Sequence, residues 1–121
     1  MPTTAAFRLS AVVGFLAVAL GAFGAHGLKG VLAQHGTVAT WETAALYHLV
    51  HAVVLVWLAA RDPRPVWAWR FFFAGVMIFS GSLYVLAVTG VKMLGAITPV
   101  GGLCLLAGWL SLAMVPPSAG R

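Results

Sequence analysis

The chain has 121 residues, 62% of them hydrophobic and 7% charged, with a mean hydropathy of +1.02 and a formal net charge of +5. A water-soluble surface needs a far larger share of charged residues, which excludes a soluble domain. The seven Lys and Arg residues stand singly beside apolar runs, with no cluster to follow a phosphate backbone, and the single cysteine, Cys104, allows neither an internal disulfide nor a cysteine metal cluster.

Crossing a bilayer takes roughly 20 apolar residues in a helix, and a backbone in hydrocarbon must pair its own polar groups. Four apolar runs meet this requirement, at about 9–28, 43–60, 71–89 and 95–115. They predict an all-α, polytopic membrane protein, a four-transmembrane-helix bundle forming a single membrane domain over 1–121.

The first run follows Arg8 and ends among the small residues Gly21, Ala22, Gly24 and Ala25, a pattern shared with secretory signals. Its length suits a membrane span, so it is read as the first helix. Ala17, Gly21 and Ala25, spaced by four, predict a face packed on another helix. Three glycines around His26, in Gly21-Ala22-Phe23-Gly24-Ala25-His26-Gly27-Leu28, read first as a helix end and second as an unwound tip shaping a pocket. Beyond it, Leu28, Val31 and Leu32 are expected to seat a short amphipathic turn at the interface before a break at His35-Gly36. Thr40 then reads as an N-cap with Glu42 in the first turn, where a carboxylate complements the helix dipole.

The second run carries the most informative polar groups, Tyr47-His48-Leu49-Val50-His51. At 1.5 Å per residue, His51 lies about 15 Å along the helix from Trp41, near mid-bilayer. His48 and His51 share a face, and Tyr47 meets His51 at four-residue spacing. Three roles compete for the pair. Neutral imidazoles can tie neighbouring helices together by hydrogen bonds. With His26 they could contribute to a metal or haem site, although two histidines three apart supply only two ligands. They could also relay protons or serve transport. The first reading leads.

Arg61-Asp62-Pro63-Arg64-Pro65 stops the second helix, since proline cannot continue one. In the third run, Phe79-Ser80-Gly81-Ser82-Leu83-Tyr84 places hydroxyls at mid-span. No aspartate lies within a span to complete a catalytic triad, and the spacing is not a nucleophile elbow. Ser80 and Ser82 are therefore expected to pack against His48 or His51. A tight reversal at 90–94 carries Lys92. Thr98-Pro99-Val100-Gly101-Gly102 then opens the fourth helix with a proline in its first turn. Gly101, Cys104, Gly108 and Ser111 form a small-residue face, and the tail 116–121 is expected to fray.

Positive charges favour the cytoplasmic side. Arg8, Arg61, Arg64, Arg70 and Arg121 fall on one side, against Lys29 and Lys92 on the other, so both termini are expected in the cytoplasm. Trp57, Trp67, Trp69 and Trp109 are expected at the arginine-rich interface with their N–H groups wet, and Trp41 at the opposite one.

The quoted segments around His26, His48, Ser80 and Pro99, followed by Gly108-Trp109, occur in an order that resembles the family called domain of unknown function 423. That family comprises small bacterial inner-membrane proteins, with mitochondrial relatives named after transmembrane protein 256. The resemblance runs over nearly the whole chain and implies a multi-pass, four-helix protein of the bacterial inner (plasma) membrane. It implies no catalytic residues.

The candidate polar cluster is thus His26, Glu42, Tyr47, His48, His51, Ser80, Ser82 and Tyr84, and the candidate packing positions are Gly21, Ala25, Gly81, Gly101 and Gly108. No catalytic residue, metal ligand or cofactor is assigned. The expected role is non-enzymatic, structural or accessory to a membrane assembly, with the lipid bilayer, other membrane subunits or further copies of the chain as partners and no nucleic acid. The alternatives are a small transporter or proton- or metal-handling module using the histidines, and a haem- or metal-binding subunit.

Overall fold

A computed structural model describes residues 3–117, so the tail from Ser118 and the charge of Arg121 lie outside the described residues. Four long helices, α1 (Thr3–Ala25), α3 (Val38–Ala59), α4 (Val66–Thr89) and α5 (Thr98–Ala113), are joined by the short helix α2 (Lys29–His35) and a 3₁₀ turn (Lys92–Ala96). The three longer helices, and α5 together with the turn before it, are long and apolar enough to cross a membrane. The chain is an all-helical, multi-pass membrane protein.

Three helices start earlier than the hydropathy reading, because they continue back through the polar and aromatic residues before each apolar run, whereas α1 ends at Ala25 rather than 28 and α5 covers only Thr98–Ala113 of the run 95–115. α1 begins at Thr3 and α4 at Val66, directly after Pro65. α3 begins at Val38, so the cap expected at Thr40 does not form and Glu42 lies exposed beyond the first turn. Thr37, the residue before α3, instead donates its hydroxyl to the Ala87 carbonyl of α4 at 2.6 Å. The expected interfacial turn is the α2 helix, and the break after it is Gly36, whose φ of 67° ends the helix in a left-handed conformation that suits glycine. Gly90, with φ 72°, ends α4 in the same way.

Packing follows chain order: α1 lies on α3, α3 on α4 and α4 on α5, with α2 closing one end. The central core joins Leu55 and Leu58 of α3 to Phe72 and Val76 of α4 and Leu105 of α5. A smaller core under α2 holds Leu32, Trp41 and Ala87. Large apolar side chains such as Phe15, Leu103, Leu106 and Leu110 are exposed, as lipid-facing residues should be.

Glycine sets the seam between α4 and α5. A Cβ at Gly101 would overlap the Phe79 backbone, one at Gly108 would stand 2.8 Å from the Phe72 ring, and one at Gly75 would stand 2.6 Å from Leu105. Close approach of this kind supplies the dispersion contacts that hold helices together when lipid competes equally for apolar surface.

The other packing expectations need correction. A Cβ at Gly21 or Gly81 would meet nothing within 4 Å, and Ala25 is exposed. The buried face of α1 is instead Ala6, Ser10, Val13, Ala17 and Gly24. Steps of four residues advance about 40° around a helix each time, so a stripe built only from them drifts off the contact face. The true face mixes steps of three and four.

Candidate functional site

The polar side chains within the spans resolve into cross-helix ties. His48, buried at mid-α3, places Nε2 at 2.9 Å from the Val13 carbonyl of α1 and Nδ1 at 2.9 Å from the Tyr84 hydroxyl of α4. A carbonyl only accepts, so Nε2 carries the hydrogen, and Nδ1 of the neutral ring accepts from Tyr84. His51, also buried, places Nδ1 at 2.8 Å from its own helix's Tyr47 carbonyl, and its Nε2 accepts from the Trp109 indole of α5 at 3.1 Å. Its hydrogen is therefore on Nδ1. The two imidazoles take opposite tautomers, dictated by their neighbours.

The same chemistry recurs along the bundle. Trp41 donates its indole N–H to the Leu20 carbonyl of α1 at 2.9 Å, and it reaches that carbonyl because Gly24, one turn on, has no side chain where the indole lies. Ser80 donates to the Ala44 carbonyl of α3 at 2.8 Å. Ser10 donates to the Ala6 carbonyl of its own helix and accepts the Trp69 indole N–H at 2.9 Å, joining α1 to α4. Ser82 meets Thr98 of α5 at 2.7 Å, hydroxyl to hydroxyl. A helical carbonyl keeps a second lone pair after accepting its own ladder bond. Trp41, His48 and Ser80 use that lone pair as the attachment point on a neighbouring helix.

Of the eight predicted polar positions, His48 and Tyr84 meet directly, and His51 stacks beside Tyr47 with ring centroids 6.1 Å apart. His26 is exposed at the end of α1 and Glu42 is exposed on α3, so neither joins the others. Ser80 and Ser82 bond to Ala44 and Thr98 rather than to a histidine, contrary to expectation. Among the described residues, no three His, Cys, Asp or Glu side chains come together as a ligand set. A single polar cavity lined by His26, His48 and His51 is therefore not formed.

Three tryptophans expected at the wet interface are turned inward: Trp41, Trp69 and Trp109 all give their N–H to partners in other helices. Trp57 and Trp67 keep the interfacial role, with the Arg61 guanidinium 4.4 Å and the Arg70 guanidinium 5.1 Å from the respective ring centroids.

The model of the family described as "Protein of unknown function (DUF423)" matches residues 20–102. The chain belongs to the DUF423 family. It is 41% identical over 112 residues to the UPF0382 membrane protein YwdK of Bacillus subtilis (strain 168), covering 88% of this chain and 90% of the relative. It is 44% identical over 108 residues to a UPF0382 membrane protein of Staphylococcus haemolyticus (strain JCSC1435), covering 86% and 88% respectively. No solved structure matches the chain.

Within this DUF423 chain, the participants that sequence reasoning missed are Trp109 as the His51 partner, the Val13 carbonyl, and the Gly24–Trp41 and Ser10–Trp69 pairs. A signal existed for the side chains, since each is a lone indole or hydroxyl in or beside an apolar span and needs a partner there. No signal exists for Val13, because every residue carries a carbonyl.

Proposed function

We propose that this DUF423 protein is a non-enzymatic, multi-pass protein of the bacterial plasma membrane that serves as a structural or accessory subunit of a membrane assembly. The observation that carries the reading is the commitment of all four imidazole nitrogens of His48 and His51 to partners within the bundle. Residues whose lone pairs and hydrogens are already used for helix ties are not poised for ligation or proton transfer. The bacterial relatives support the membrane assigned, and the arginine-rich second loop supports cytoplasmic termini.

The test is purification of the full chain from native membranes in mild detergent after chemical crosslinking, with protein mass spectrometry, metal analysis and an absorbance spectrum. A stoichiometric partner subunit is the expected result. A lone monomer with no crosslinked partner contradicts the reading, and a bound metal or haem would return the histidines to chemistry.

A further inference from the structure

Both α3 and α5 pack on α4, yet no Cα of α3 comes within 8 Å of one in α5. The glycine seam draws α5 onto α4, and the divergence leaves a groove of about 570 Å³ on the lipid-facing side between α3 and α5. It runs past Pro99, Gly102, Leu106 and Trp109 on one wall and past Tyr47 and His51 on the other, with Phe79 of α4 behind. From Pro99 to Trp109 it extends about 15 Å, ten residues of helical rise, and it lies around the middle of the spans.

Its contents are aromatic and contain one unused donor. The Tyr47 and Phe79 rings lie 4.8 Å apart, and Trp109 stands edge-on to His51 with centroids 5.9 Å apart. Tyr47 is 42% exposed, and among the described residues its hydroxyl has no hydrogen-bond partner, although Tyr84, Ser80, Thr37 and the indoles of Trp41, Trp69 and Trp109 are all bonded. The middle of a membrane span lies in hydrocarbon, where an unpaired O–H is costly and calls for an acceptor from outside the chain.

We propose that this groove binds a prenylated quinone, with the Tyr47 hydroxyl donating to a ring carbonyl. The volume falls in the range of small-molecule sites, which combine apolar and aromatic walls with few polar groups. A phospholipid keeps its carbonyls near the interface and brings only acyl chain to mid-membrane. A quinone is a flat, uncharged ring that dissolves in hydrocarbon and carries acceptors into it, and its prenyl tail can leave along the exposed Leu103 and Leu106 surface. The proposal concerns binding alone, with no electron transfer assigned to the chain.

The experiment reconstitutes the full chain in phosphatidylcholine/phosphatidylglycerol nanodiscs and labels it with a photoreactive azido derivative of a prenylated naphthoquinone, in competition with menaquinone-4 or with phytane, a branched alkane lacking carbonyls. Label on peptides spanning residues 99–109, displaced by menaquinone-4 and not by phytane, is the expected result. Tyr47→Phe should weaken menaquinone-4 competition about tenfold, the loss of one buried hydrogen bond. Gly102→Leu should abolish labelling by filling the groove; a Cβ there would meet only the Phe79 ring, at ordinary contact distances of 3.8 and 4.0 Å, and an unfolding midpoint equal to the parent's in mixed micelles shows that the bundle is retained. Labelling spread over all lipid-facing residues, displacement by phytane, unchanged competition in Tyr47→Phe, or unchanged labelling in Gly102→Leu would overturn the proposal. So would a Tyr47-dependent crosslinked dimer that excludes the quinone, because a second copy would then be the occupant.

Discussion

His48 and His51 stand three residues apart on one helix, 4% and 5% exposed, yet they do different work. His48 is enclosed by α1 and α4, and its Nδ1 faces a tyrosine hydroxyl, a group that can donate or accept. His51 faces α5 across the rim of a groove, and its Nε2 meets an indole N–H that can only donate. Depth in the membrane does not determine what a buried histidine does; the hydrogen-bonding character of its neighbours does. The His48 side is a sealed three-helix junction, whereas the His51 side hangs on one bond plus the glycine seam that holds α5 in place.

The largest loss is expected at the glycine seam. Gly101→Leu drives a side chain into the Phe79 backbone, so α5 must move off α4 and the His51–Trp109 bond should open while the His48 bonds persist. The expected cost is about 3 kcal/mol, measured as reversible unfolding in mixed micelles. His48→Ala breaks the other side, removing the ties to both α1 and α4 and leaving the Tyr84 hydroxyl without its acceptor. About 2 kcal/mol is expected in the same assay, with α1 more accessible to cysteine labelling.

Finer substitutions sharpen the contrast between the two donors. Trp109→Phe keeps a ring against Phe72, 5.0 Å away, but removes the donor to His51, for about 1 kcal/mol. Tyr84→Phe removes the donor to His48 while the Val13 tie remains, for about 0.6 kcal/mol. Equal and negligible losses in the two variants would show that these bonds do not hold the bundle.

Much of the fold could be read in the sequence because the spans are defined by length and apolarity alone, and a lipid environment leaves the helix as the only solution for such runs. Gly101 and Gly108 were legible because they lie seven apart, two turns on the same face. The ends were not: α3 begins at Val38 because Thr37 bonds to Ala87, a residue fifty positions away that no local capping rule can anticipate. The histidines were legible as inward-facing because exposing imidazole to hydrocarbon is costly. Their partners were not, since the acceptors for His48 and Ser80 are backbone carbonyls, present at every position and unmarked in sequence. Trp69 and Trp109 look interfacial by composition, and only the placement of Ser10 and His51 opposite them turns their N–H groups inward.

The most direct test of the two histidines as helix ties is solid-state NMR of the ¹⁵N-histidine-labelled chain in lipid bilayers, read for the tautomer of each ring. Rings of opposite tautomer are expected, with the hydrogen on Nε2 in His48 and on Nδ1 in His51, and loss of the His51 signature alone in Trp109→Phe. Two rings of the same tautomer, or imidazoles exchanging freely with added protons, would contradict that role.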